Sequence, residues 1–230
     1  MSETRLSFST PVRAAILLPI GLAAMSFSSI FIRFCDAPPL VIAAYRLTLA
    51  TLILLLLALP KTLRESRQLS RKEVLPSLGA GLFLCFHFAF WITSLQYTTV
   101  ASSVIFVTTN PIFVAVASAF ILREKISPFL FFSILLAVIG GILIGWGDLG
   151  KGKDPIFGDF LSLLGAVMAT GYLLVGRSVR QKVSLTTYIT IVYGVAAISW
   201  SFWPSSRAML FSATLRKTIF SSSSWPWDPN

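Results

Sequence analysis

The sequence is poor in charge and in reactive side chains. Only 12% of its 230 residues are Asp, Glu, Lys or Arg, about half the ~25% usual for a soluble domain, which excludes an ordinary water-soluble enzyme. Its two cysteines, Cys35 and Cys85, cannot build a disulfide framework; Cys85 falls deep in an apolar run, so both read as isolated thiols. There is a single histidine, and no G-x-S-x-G, H-E-x-x-H, Walker or C-x-x-C pattern. Hydrolytic, metalloprotease, ATP-driven and redox chemistries therefore have no anchor, and no catalytic residue, metal or cofactor is expected. No lysine lies inside an apolar run, so no retinal-type Schiff base is expected either.

What the sequence has in abundance is apolar length. Hydrophobic residues make up 55% of the chain, in seven continuous runs: Val12 to Ile32, Pro39 to Leu59, Val74 to Tyr97, Val100 to Leu122, Pro128 to Trp146, Ile156 to Gly176 and Ser184 to Trp203. A helix rises 1.5 Å per residue, so each run can cross a hydrocarbon layer of about 30 Å. None shows the two-residue alternation of a barrel strand, and a lone segment in lipid must satisfy its backbone internally, so helices are the expected form. The breakers Asp36-Ala37-Pro38-Pro39, Pro60, Ser127-Pro128, Gly147 to Gly158 and Pro204 are expected between spans. Arg5, Arg13 and Leu22-Ala23-Ala24 resemble a signal peptide, but the apolar run continues through Ile32, so a full span is expected.

The net charge of +10 would suit a polyanion, but its placement gives a different reading. With the N-terminus inside, twelve of the 19 basic residues fall on inner segments and only Arg33, Lys151 and Lys153 on outer ones; Arg46 lies within a span, and Arg207, Arg216 and Lys217 in the tail. This is the positive-inside bias of a polytopic protein with a cytoplasmic N-terminus. The expected fold is therefore all-α, with about seven transmembrane helices in the cytoplasmic membrane. The bilayer is the expected partner and nucleic acid is not.

Several stretches carry a family pattern. They run from Leu95-Gln96-Tyr97-Thr98-Thr99-Val100-Ala101-Ser102-Ser103-Val104 through Asn110-Pro111-Ile112-Phe113 and Arg123-Glu124-Lys125-Ile126 to Val138-Ile139-Gly140-Gly141-Ile142-Leu143-Ile144. This order resembles the fourth and fifth helices of EamA-type transporters of the drug/metabolite transporter superfamily. Pro38-Pro39 followed by Arg46 resembles the second helix, and Gly158-Asp159-Phe160-Leu161 the start of the second repeat. The resemblance implies two five-helix repeats of opposite orientation with a pathway where they meet. On that reading 12–146 is the first repeat and 156–203 the first two helices of the second. The tail, 204–230, is atypical, and the expectation is a member shortened after its seventh helix. The expected function is secondary transport of a small metabolite, with a truncated, non-transporting membrane protein as the alternative.

Candidate site residues follow from polarity inside spans. Arg46 lies about 12 Å from the outer end of its helix, where burial requires a partner; Asp36, Asp159, backbone carbonyls or a substrate anion are candidates. His87 has Phe83 and Trp91 four residues to either side on one helix face, with a proton relay or a helix–helix hydrogen bond as its roles. Gln96 and Tyr97 are expected near the outer end of that helix. Thr99, Ser103 and Asn110 make one stripe, beside which Pro111 frees a carbonyl. Ser162, Gly165, Ala169 and Tyr172 make another, for packing or pathway. The resemblance implies that the third, fourth and sixth helices line the pathway. Glu124 resembles the family's recurrent glutamate, and its neighbours Arg123 and Lys125 suit an ion-pair cluster. Gly141 and Gly145 allow close approach of another helix, within the chain or in a homodimer. No carboxylate sits in mid-membrane, which favours a neutral, zwitterionic or anionic metabolite over an organic cation.

Overall fold

A computed structural model describes residues 10–35, 37–121, 123, 127–148 and 150–201. Among the described residues it is helical throughout, with eight α-helices and no strand: α1 Thr10–Phe34, α2 Pro39–Ser66, α3 Arg71–Ser94, α4 Val100–Val107, α5 Asn110–Ile121, α6 Pro128–Gly147, α7 Pro155–Val179 and α8 Leu185–Ser201. Six stretches are long and apolar enough to cross a bilayer, with α4 and α5 together forming one of them; the seventh expected span coincides with the shorter α8. The protein is an all-α polytopic membrane protein. Among the described residues, those up to Cys35 form one compact unit and those from Ala37 onward another. In the first, α1 satisfies its hydroxyls internally, Ser26 donating to Leu22 O at 3.0 Å and Ser29 to Met25 O at 2.9 Å, as hydrocarbon surroundings demand.

Helix ends in the second unit follow local chemistry. Pro39, Pro128 and Pro155 occupy first-turn positions, where a missing N–H costs nothing. α3 starts three residues before its apolar run because Ser70 and Glu73 form a capping box, Ser70 N donating to Glu73 Oε2 at 2.9 Å. Two expectations are corrected. Pro60 does not separate spans; it lies inside α2, which continues to Ser66 as a polar extension with Lys61 and Glu65 paired at 3.9 Å. The fourth span is not one helix. Pro111 has no N–H to offer, and the chain breaks at Thr108 and Thr109, whose hydroxyls donate to Val104 O at 2.8 Å and Phe106 O at 2.6 Å. The same two carbonyls also accept from the backbone N–H groups of Thr108 and Thr109, at 3.0 Å and 3.2 Å.

α7 packs along α3 and also meets α4 and α5, while α8 sits against α2 and α3. The helices expected to begin a second repeat thus lie within the first repeat's packing. Absent side chains make this approach possible. A Cβ on Gly158 would lie 2.8 Å from Thr98 N, one on Gly171 2.8 Å from the Phe83 ring, and one on Gly81 2.4 Å from Val195 Cβ. Leu47, Leu84, Trp91, Ile92 and Val192 complete the buried core, whereas most of α6 is exposed apolar surface.

Gly158→Ala drives a methyl group into the Thr98 backbone, so the protein should lose about 1–3 kcal/mol of stability. Gly79→Ala on α3, where a Cβ meets open space, should leave the detergent-solubilised Tm unchanged or raise it. Equal melting of the two variants would refute the close α3–α7 approach.

Candidate functional site

The membrane-embedded cation is the centre of the site. Arg46 projects from α2 with its guanidinium carbon 5.0 Å from the Phe88 ring centroid and 5.3 Å from that of Trp91, both on α3. A delocalised, weakly hydrated guanidinium is the cation best suited to aromatic faces. Tyr193 of α8 extends the cluster, its ring 6.5 Å from Phe88 and edge-on, and it is within electrostatic reach of Arg46 and of Tyr172 on α7. Tyr172 also supplies a backbone carbonyl to the Tyr188 hydroxyl at 2.5 Å. His87 stacks on Trp91 with centroids 5.9 Å apart and ring planes 20° apart. Its Nδ1 lies 2.8 Å from Gly165 O on α7. A carbonyl only accepts, so Nδ1 carries the proton and donates, and in the neutral ring Nε2 is left as an acceptor. Arg46, His87, Trp91 and Tyr172 therefore share one neighbourhood where α2, α3, α7 and α8 meet.

Ser103 and Ser162 come together elsewhere. Ser94 donates to Trp91 O at 2.6 Å and accepts from Ser103 at 2.7 Å and Ser162 at 2.8 Å. All three are fully buried, and each hydroxyl proton is used inside the knot, which cements α3, α4 and α7. Asn110 begins α5 and its carbonyl accepts from Thr170 at 3.4 Å. Pro111 is exposed beside the helix break. Gly141 and Gly145 serve packing within the chain, since a Cβ on each would lie 3.7 Å and 3.2 Å from the Phe106 ring.

The outer rim holds the remaining candidates. Asp159 accepts from Thr98 and Ser102, each at 2.8 Å. Asp159, one of several candidate partners for Arg46, is instead engaged by these hydroxyls, which reach it from the turn before α4 and from α4 itself. Asp148 accepts from Thr99 and pairs with Lys151 at 3.4 Å. Gln96 and Tyr97 lie beyond the end of α3, in the turn that follows. Gln96 is exposed; Tyr97 packs edge-on to Phe157 at 5.0 Å, has Lys153 5.5 Å from its ring centroid, and accepts through its carbonyl from Asp154 N at 3.1 Å. Gly152 adopts φ +100°, and a Cβ there would lie 2.5 Å from Tyr97 O, so only glycine fits on both counts. Asp36 and Glu124 lie outside the described residues.

A matching rim closes the inner end. Lys182 meets Glu73 at 2.6 Å, and Ser184 donates from its backbone N at 2.9 Å and its hydroxyl at 2.8 Å to Glu65. The connection from α7 to α8 is thereby tied to α2 and α3. Sequence reasoning missed Phe88, Tyr193, Ser94, Thr98, Ser102 and this inner clasp. Only Ser70-x-x-Glu73 carried a legible signal, and it marked a helix start rather than a tether. Among the described residues no group of three or more His, Cys, Asp or Glu is placed to hold a metal.

Asp159→Ala removes the acceptor of two hydroxyls. Bonds to a charged group contribute about 1.5–3 kcal/mol each before screening, so the Tm of the solubilised protein should fall clearly, and Asp159→Asn, which keeps an acceptor oxygen, should fall less. An unchanged Tm for the alanine variant would show that the outer rim carries no load.

Comparison with known proteins agrees with this architecture. Residues 12–146 match the EamA-like transporter family. The chain is 23% identical over 185 residues to the "Uncharacterized transporter YxxF" of Bacillus subtilis (strain 168), an overlap covering 79% of this chain and 60% of that protein. It is 29% identical over 128 residues to the "Uncharacterized transporter YetK" of the same organism, covering 54% of this chain and 39% of that one. The chain thus spans no more than about three-fifths of the length of these curated relatives. No solved structure matches it. With the family matched across more than half its length, the chain belongs to the EamA-like transporter family.

Proposed function

We propose that the chain forms part of a secondary transporter that carries a small neutral, zwitterionic or anionic metabolite across the cytoplasmic membrane by alternating access. The observation that carries this reading is Arg46, a permanent cation held against Phe88 and Trp91 inside the membrane. A positive charge at this depth costs about 2.5–3.5 kcal/mol on insertion scales and is retained where it attracts something. It repels organic cations and draws anionic oxygen. His87 offers an acceptor nitrogen on the same stack of rings, so a ligand with both an anionic group and a hydrogen-bond donor finds complementary partners. The inner and outer rims, each built of bonds between α7 or its flanking turns and helices α2 to α4, are the contacts that alternate opening would exchange. ATP has no binding motif in this sequence, so the driving force on this reading is a solute or ion gradient.

The test is flux through membranes containing the protein, measured with a panel of radiolabelled anionic, zwitterionic, neutral and cationic solutes. Saturable flux is expected for members of the first three classes, with a loss of at least tenfold in Arg46→Ala at equal membrane abundance and partial retention in Arg46→Lys. Flux confined to cations, or an undiminished rate in Arg46→Ala, contradicts the proposal.

A further inference from the structure

The Arg46 cluster contains donors that the protein itself does not use. Tyr172 on α7 and Tyr193 on α8 are half-buried, and among the described residues neither hydroxyl makes a hydrogen bond. The indole N–H of Trp91, a side chain only 1% exposed, meets no acceptor among them either. Neighbouring hydroxyls on the same helices behave differently. Thr51 donates to Leu47 O at 2.7 Å, Thr170 to Ala166 O at 2.9 Å, Thr190 to Thr186 O at 2.8 Å and Tyr188 to Tyr172 O at 2.5 Å. Donors at membrane depth are normally paired in this way, because an unpaired one gives up its hydration for nothing. Unspent donors gathered around a cation therefore mark a place for acceptor oxygens that carry negative charge.

The Phe88 ring ties the group together. The Arg46 guanidinium carbon lies 5.0 Å from its centroid, and the Tyr193 ring meets it edge-on at 6.5 Å. Tyr193 is within electrostatic reach of both Arg46 and Tyr172. His87 adds no donor in its neutral form, because its Nδ1 proton goes to Gly165 O at 2.8 Å. Charge then selects the ligand. Arg46 is the only Asp, Glu, Lys or Arg in the stretches 39–60, 74–94, 160–176 and 185–201 of α2, α3, α7 and α8. One buried cation balances one anionic charge, whereas a dicarboxylate or a phosphate dianion would bring a second charge with no partner. A carboxylate carries a single charge on two oxygens that accept up to about four hydrogen bonds, enough for the guanidinium and both tyrosine hydroxyls. We infer that Tyr193 and Tyr172 complete, with Arg46, a subsite for one carboxylate group, and that the solutes this site prefers are monocarboxylates. The inference rests on the reading of Arg46 as the charge that attracts the substrate, and it adds the two tyrosines as the residues that set specificity.

The test measures binding and flux separately. Melting of the whole solubilised protein is followed against concentration of propionate, propionamide, succinate and inorganic phosphate, and flux of the same solutes is measured in proteoliposomes. Propionate should raise the Tm saturably, with a half-maximal concentration at least tenfold below that of the other three. Tyr193→Phe keeps the ring on Phe88 and removes only the hydroxyl, so its ligand-free Tm should stay near wild type while half-saturation by propionate rises at least fivefold. Tyr172→Phe should weaken propionate in the same direction, and it replaces Tyr193→Phe should that variant fail to fold. Propionate binding with these losses but no flux supports the subsite and removes the transport reading. Flux of other solutes without preferential propionate binding leaves transport standing and overturns the subsite, as do equal half-saturation by propionate and propionamide or unchanged propionate binding in both tyrosine variants.

Discussion

The arrangement of the helices around α3 turns on one contact, the guanidinium of Arg46 lying over Phe88 and Trp91. A charge inside hydrocarbon is tolerated only when its surroundings are fixed. Cation–π attraction reaches about 2 kcal/mol or more when desolvated, the same order as the insertion penalty, so the pairing offsets much of that cost while keeping the cation intact. It also constrains the packing. α2 must lie beside α3, the aromatic faces must be shielded from lipid, and α8 and α7 provide the shield through Tyr193 and the Gly165 carbonyl that orients His87.

The rest of the second unit reads as support for that contact. Small residues let α7 lie along α3, and the buried knot of Ser94, Ser103 and Ser162 fixes their rotation without leaving a hydroxyl unsatisfied. Above and below, carboxylates are paired with hydroxyls, a lysine and a backbone amide. The outer bonds use the fully buried hydroxyls of Thr98 and Ser102, and Gly158 packs against Thr98 beside them. The middle and both ends thus hold α7 and its flanking turns to the helices around them. α6, largely exposed and touching α4 through Phe106, belongs to neither group.

Much of this architecture was legible from elementary rules. Apolar length and basic-residue placement identify the spans, because hydrocarbon imposes both requirements on any chain. Arg46, His87 and Trp91 stand out as polar or amphipathic residues where lipid disfavours them, and they do share one neighbourhood. What stayed hidden was pairing across helices. Phe88 is one aromatic among 19 phenylalanines, and nothing local says that it faces a cation from another helix. Asp159 looked like an ion-pair partner because charge is visible in a sequence, whereas the Thr98 and Ser102 hydroxyls that bind it look like ordinary turn residues. Pro60 and Pro111 show the limit of single-residue rules: both remove a donor, yet one sits within a continuous helix and the other lies beside a break.

The cation–aromatic contact can be measured directly by a double-mutant cycle on unfolding free energy in a bilayer mimic, using Arg46→Met, Trp91→Leu and the two combined. A desolvated contact predicts that the single losses fail to add, with a coupling of about 1–2 kcal/mol between the two sites. Additivity within about 0.3 kcal/mol would show that the guanidinium gains nothing from the indole, and would contradict the account at its centre.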